Sequence, residues 1–276
     1  MTPRRRRVAI AFRLAIVFSV LAGIVLTALG PATVTGLLPY FTIQSNVAVG
    51  VFAGYAGWRA WQDRPEPRSA LKGAVTLYIT ITGVVYHLVL ANPASPFAMV
   101  QPDRAFGEAL GNQFLHTIVP LLAVADWVLF DQRGRLHHRY AAWWLAFPLA
   151  YLGFALVRGL IVHRYPYPFI DAGQLGYDGV GVSALFFAFA FWLLGLLFVG
   201  VDRGLSRGLR RTAGRAAPNG GTRTGGRAAP DGGTRTGQPA APGGVARRAG
   251  PPTRPGRIAR PARSAPLSRP GSSPAG

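Results

Sequence analysis

Six apolar runs, each about twenty residues long, decide what this chain can become. They lie near 8–29, 38–60, 70–91, 110–130, 141–162 and 179–201. A bilayer's hydrocarbon core is crossed by about 20 helical residues. In lipid, only helices and closed barrels satisfy every backbone polar group. These runs lack period-2 alternation and are about twice too long for a barrel strand. The expected fold is therefore all-α: a polytopic six-helix transmembrane bundle over residues 1–201. Arg4–Arg7 ahead of the first run resemble the start of a signal peptide. The run is too long for a typical leader core and further spans follow, so it reads as a retained first helix.

Charge sets the expected orientation. Only 14% of residues are charged, against about 25% in soluble domains. Basic residues cluster before the first run, between the second and third (Arg59, Arg64, Arg68, Lys72), after the fourth (Arg133, Arg135, Arg139) and after the sixth. The alternate loops at 30–37, 92–109 and 163–178 are poor in them. All basic-rich segments fall on one side, which the positive-inside rule makes cytosolic. The expectation is a multi-pass plasma-membrane protein with both termini in the cytoplasm.

Residues 202–276 are rich in Gly, Pro, Ala and Arg and hold fifteen of the thirty Lys and Arg. They include a tandem repeat, GRAAPNGGTRTG at 214–225 and GRAAPDGGTRTG at 226–237. Neither repeat has an apolar face to stack, so the segment reads as a disordered cytosolic tail, with weak attraction to anionic headgroups. The net charge of +20 is thus a topology signal, and no nucleic-acid partner is expected. With no cysteine, disulfides, thiolate metal sites and a cysteine nucleophile are excluded. His137 and His138 read as loop residues beside Arg139, and neither a metal nor a cofactor is expected.

Polar side chains inside the runs are costly in lipid and mark function. Thr42, Ser45 and Asn46 share one face near the outer end of the second run. His87 lies about four residues from the outer end of the third, by the rise of about 1.5 Å per residue. His116, with Asn112 at i−4, lies in the outer part of the fourth, and Arg158 in that of the fifth. Four helices thus bring polar groups to one layer of the outer leaflet. Each also has a structural reading: Thr42 bonding its own helix, Arg158 snorkelling to headgroups, Asn46 and Asn112 as interhelical glue. Pro120 clashes with the carbonyl of His116 and is expected to kink the fourth helix there, as Pro148 does the fifth.

A hydroxyl nucleophile needs a base within hydrogen-bond reach, and neutral imidazole is suited to it. Thr42 and His116 form such a pair if the second and fourth helices adjoin. Arg158, Asn46 or His87 would then stabilise an oxyanion or hold a lipid carboxylate. Asp171, on an outer loop, would orient a histidine. A second class of reading is redox, since His87 and His116 on adjacent helices present the two imidazoles a membrane haem requires. A third is non-catalytic: a lipid-binding, carrier or scaffold protein.

Six spans, Thr42 opening the second, and His116-Thr117-Ile118-Val119-Pro120 in the fourth resemble the androgen-induced-protein family over roughly residues 8–201. Its eukaryotic members are six-span threonine hydrolases that cleave fatty-acid esters of hydroxy fatty acids. The resemblance implies Thr42 as nucleophile, His116 as base, and a membrane lipid or fatty-acid ester as substrate.

Overall fold

The computed structural model describes residues 1–30, 34–101 and 103–216, the side chains of Val34 and of 209–216 excepted. Residues 217–276, which hold most of the expected tail, lie outside the described residues. Among the described residues every regular element is helical. Six long rods account for nearly all of it: α1 Pro3–Ala28, α2 Phe41–Trp61, α3 Ser69–Leu90, α4 Phe106–Phe130, α5 Arg139–Val162 and α6 Ala172–Ala216.

Five of these, all but α2, are long and apolar enough to cross a membrane. The exception has a physical reason. Thr42, Gln44, Ser45 and Asn46 fill the first turns of α2 and dilute its hydropathy. The helix tolerates them because the face that carries most of them is turned inward: Ser45 and Asn46 are fully buried and Thr42 nearly so. Small residues on the same rod (Gly50, Ala53, Ala56, Gly57, Ala60) bury against neighbours and let helices close in.

Rods begin and end where local chemistry dictates. Thr2 caps α1, its hydroxyl accepting from the Arg5 amide, and Pro3 occupies the first turn, so the helix starts ahead of the apolar run. Rod α5 breaks at Trp144–Leu145, and Pro148 falls in the first turn of the segment that resumes at Ala146. Rod α6 continues past 201, where the tail was expected, because that turn is tied down. Asp202 is fully buried and accepts from the Leu136 amide at 3.0 Å, while the Arg203 side chain reaches the Leu136 carbonyl.

Helices α1 to α4 form one interlocked group, α1 lying along both α2 and α4 and α3 closing against α2 and α4. At Gly111 a methyl group would meet the Thr27 hydroxyl at 2.7 Å and the Thr27 amide at 2.9 Å, so α4 approaches α1 more closely than any side chain permits. Rod α5 packs on α6, and α6 also meets α3. A strap, residues 163–171, joins α5 to α6; it starts at His163 in the left-handed region (φ 53) and contains the 3-10 turn Pro168–Ile170.

Two larger apolar cores result among the described residues, beside a small cluster of Leu37, Ile43 and Leu115. One lies inside the four-helix group, around Ile16, Val20, Val49, Ile79 and Val119. The other joins α3, α5, α6 and the strap through Leu77, Ile81, Tyr151, Tyr167 and Phe187. Near the N-terminal end, the four-helix group also buries charge. Arg13, 1% exposed, pairs with Glu66 at 2.7 Å and Asp126 at 3.2 Å, and Lys72, 2% exposed, pairs with Asp126 at 2.7 Å. Two cations face two carboxylates, and the Ala56 carbonyl takes a further Arg13 donor. The cluster is internally neutral, the condition for holding ions out of water.

Candidate functional site

At the opposite end, two helices lose regularity at facing positions. Rod α3 turns π-helical over Tyr86–Leu90 and α4 over Phe114–Ile118, immediately before Pro120. The expected kink at His116 takes this form: proline removes a helical donor and crowds the carbonyl four residues back, and the chain accommodates with one wide turn. Gly83 of α3 makes room for it. A methyl there would sit 3.1 Å from the His116 carbonyl oxygen and 3.2 Å from the Pro120 ring.

The wide turn presents His116 to the start of α2. Its Nε2 lies 3.2 Å from Thr42 Oγ1, and its Nδ1 lies 3.0 Å from the main-chain oxygen of Asn112. A carbonyl cannot donate, so in the neutral ring Nδ1 carries the proton and Nε2 the lone pair. Thr42 therefore donates its hydroxyl proton to Nε2. The imidazole is also stacked on Tyr86, with ring centroids 4.1 Å apart and planes at 25°. Asn112 donates to the Tyr86 hydroxyl, and Arg104 approaches the same oxygen at 3.4 Å.

Asn46 fixes Thr42 from beneath. Its amide donates to the Thr42 carbonyl at 2.8 Å and to the Leu115 carbonyl at 3.2 Å, which ties α2 to the wide turn of α4. Ser45 bonds the same Thr42 carbonyl and the Thr82 hydroxyl of α3. Three helices thus fix the backbone that carries the Thr42 hydroxyl.

From above, the strap places Tyr167 against Thr42. The Thr42 amide, an unpaired donor of the first helical turn, donates to Tyr167 Oη at 3.3 Å. The same Oη is 3.3 Å from Thr42 Oγ1. Because the Thr42 proton is directed to His116, Tyr167 is the donor in that second contact.

Two cavities meet at this point. One, of about 90 Å³, is almost wholly apolar and runs between α3, α5 and α6 along Ile81, Val85, Leu149, Leu152, Phe187 and Phe191. The other, of about 180 Å³, opens toward the loops and holds His116, Asn112, Arg104 and Gln101. Thr42, Tyr167 and Leu90 line both. Thr42 stands in the wall between an oily chamber and a largely apolar one that holds a few polar side chains.

Thr42, His116, Asn46 and Asn112 are therefore brought together, whereas three other candidates lie apart. His87 is exposed and bonds Thr117 Oγ1 at 3.0 Å. Arg158 donates to the Arg164 carbonyl at 3.0 Å, closing the end of α5. Asp171 accepts from the Gly173 and Gln174 amides and caps α6. The group that orients His116 is the Asn112 carbonyl, not Asp171. Both His116 nitrogens are engaged, and His87 is bonded to Thr117. Tyr167 and Arg104 join the site without having been candidates; the one signal was aromatic density in Tyr165-Pro166-Tyr167-Pro168-Phe169.

Comparison with protein-family models, with curated proteins and with solved structures gives no match to this chain.

Proposed function

We propose that the chain is a six-span plasma-membrane hydrolase, with both termini cytosolic, that cleaves a lipid or fatty-acid ester using Thr42 as nucleophile and His116 as base. One observation carries the reading: a nucleophile–base pair of fixed hydrogen-bond direction stands where two cavities meet, one almost wholly apolar and one largely apolar that holds Arg104, Gln101 and Asn112. An acyl ester divides the same way, with its chain in the oily chamber and its remainder toward Arg104. In this topology α2 completes the six spans, its polar first turns facing the bundle and Val47 and Val51 facing outward, and the site lies in the outer leaflet.

The reaction follows from the contacts. Thr42 Oγ1 attacks the ester carbonyl carbon as its proton passes to His116 Nε2. The carbonyl π pair moves onto oxygen, then returns as the carbon–alkoxy bond breaks. The departing alkoxide takes the proton from Nε2, leaving acyl-Thr42. Water then attacks with its proton going to Nε2, and collapse releases the fatty acid as Thr42 recovers its proton. Arg104, half-buried in the second chamber, supplies a cationic end for a substrate's anionic group.

The test is hydrolysis of a fluorogenic long-chain acyl ester and of a fatty-acid ester of a hydroxy fatty acid by the purified full chain in detergent. Thr42→Ala and His116→Ala should each lower kcat/KM by about a thousandfold or more. Turnover indifferent to both changes, or none in the wild type, would turn the site into a lipid-binding one without chemistry.

A further inference from the structure

Resting on the hydrolase reading, we infer that Tyr167 is a third catalytic residue: its hydroxyl, with the Thr42 amide, forms the oxyanion hole. The resting geometry is a one-way chain. The Thr42 amide donates to Tyr167 Oη, Tyr167 donates to Thr42 Oγ1, and Thr42 Oγ1 donates to His116 Nε2. Each hydroxyl donates once, so the order of the chain is fixed by its end at the Asn112 carbonyl.

Attack breaks this chain at one place. Once Oγ1 is bonded to the carbonyl carbon it is an ester-like oxygen and a poor acceptor. Negative charge appears on the neighbouring oxygen, across the tetrahedral carbon. The Tyr167 proton, already aimed at Oγ1, turns to that oxygen without leaving the site. The Thr42 amide is also relieved of its best partner as Oη turns, and points at the same charge. An oxyanion donor is useful only if placed before the charge develops. The strap provides that placement: the Tyr167 ring stacks on Phe169 at 5.2 Å and 5°, and meets Tyr40 edge-on at 5.7 Å. The amide adds the positive end of α2. Burial pushes the Tyr167 hydroxyl up to about 12, opposed by its bonds to Thr42, so it keeps its proton through the working range.

The assignment explains why the residue is a tyrosine on a strap. Its ring belongs to the apolar core shared by α3, α5 and α6, while its oxygen borders both chambers. A rigid ring therefore carries one polar atom to a site that no helix reaches from that side.

The experiment compares wild type, Thr42→Ala, Tyr167→Phe and Tyr167→difluorotyrosine, the last placed by stop-codon suppression in the full chain. The readouts are kcat, KM and the pH–rate profile on a fluorogenic acyl ester, with thermal unfolding alongside. Tyr167→Phe should lower kcat by about 100- to 1000-fold while KM moves by less than about threefold. Difluorotyrosine should keep most of kcat and bring the alkaline limb of the profile to lower pH, since a more acidic phenol stops donating sooner. If Tyr167→Phe stays within about threefold of wild-type kcat while Thr42→Ala is dead, the oxyanion role falls and the hydrolase reading stands. An alkaline limb unmoved by fluorination overturns the role even where Tyr167→Phe is inactive or fails to fold. Absence of any Thr42-dependent turnover overturns both.

Discussion

His116 is oriented by the main-chain oxygen of Asn112, 3.0 Å from its Nδ1 and one turn earlier on the same helix. A backbone acceptor cannot be deleted by changing a side chain. It fixes the tautomer as a carboxylate does in Ser-His-Asp enzymes, without placing a carboxylate charge in the site.

The first prediction comes from that pairing. Asn112→Ala keeps the carbonyl and loses only the amide bond to the Tyr86 hydroxyl. Its kcat/KM should fall by less than about tenfold, against a thousandfold or more for His116→Ala. Equal losses in an ester-hydrolysis assay would show that the Asn112 side chain, not its carbonyl, sets the imidazole.

A second concerns the wide turn. Gly83→Ala forces a methyl against the His116 carbonyl and the Pro120 ring, and overpacking of this kind costs roughly 1–3 kcal/mol. Activity should drop with stability, since the displaced backbone is that of the base. Pro120→Ala removes the ring Cγ, one of the three crowding atoms, and frees the turn to relax, so the double variant should be less destabilised than the sum of the single ones. Strict additivity in thermal unfolding would refute the contact.

The third is set by charge. Asp126 faces Arg13 and Lys72 in a buried cluster, and Asp126→Ala leaves two cations with one carboxylate. Breaking a buried pair costs about 3–5 kcal/mol. Adding Lys72→Met to Asp126→Ala restores neutrality and should recover part of the loss. A double variant less stable than Asp126→Ala, by thermal unfolding in detergent, would exclude a charge-balance origin.

A fourth uses pH. Asp131, just beyond the end of α4, accepts from Ser69 through one oxygen, and its other oxygen has no partner among the described residues. Burial raises its carboxyl above the usual range, with Lys72 opposing. The folded state thus holds the proton more tightly than the unfolded one. Stability is undiminished below the unfolded value of about 3.9 and falls as pH climbs through the raised value. Asp131→Asn should therefore unfold at a higher temperature than wild type at neutral pH, and the gap should close on acidification. A gap that persists in acid would count against ionisation as its cause.

Depth could be argued from the sequence, and direction could not. The helical rise places Thr42, Asn46, Asn112, His116, His87 and Arg158 in one layer, but which way each side chain faces depends on packing. Both π-helical turns lie within that layer and rotate the residues beyond them, so no 3.6-residue count could separate His116 from His87. Tyr167 was hidden because a loop tyrosine between prolines reads as an interfacial anchor. Arg13 and Asp126 had a readable signal: opposite charges inside two apolar runs, near the same end of the bundle. The helical end of the tail was obscured because Asp202, the residue that ties it down, counts as one charge among many.

The two chambers differ in what walls them. Thr42, His116 and Asn46 belong to the interlocked helices α1 to α4, whereas much of the apolar chamber is faced by α5 and α6. At about 90 Å³ that chamber is well below the 300 Å³ or so at which ligand pockets begin, so a long chain enters only as α5 and α6 yield sideways. On the proposed reading, the ruler that measures the substrate lies apart from the nucleophile and base that cut it, with Tyr167 of the strap joining the two. Substitutions along α5 and α6 away from Tyr167 can retune chain-length preference over generations while the Thr42–His116 pair is left untouched.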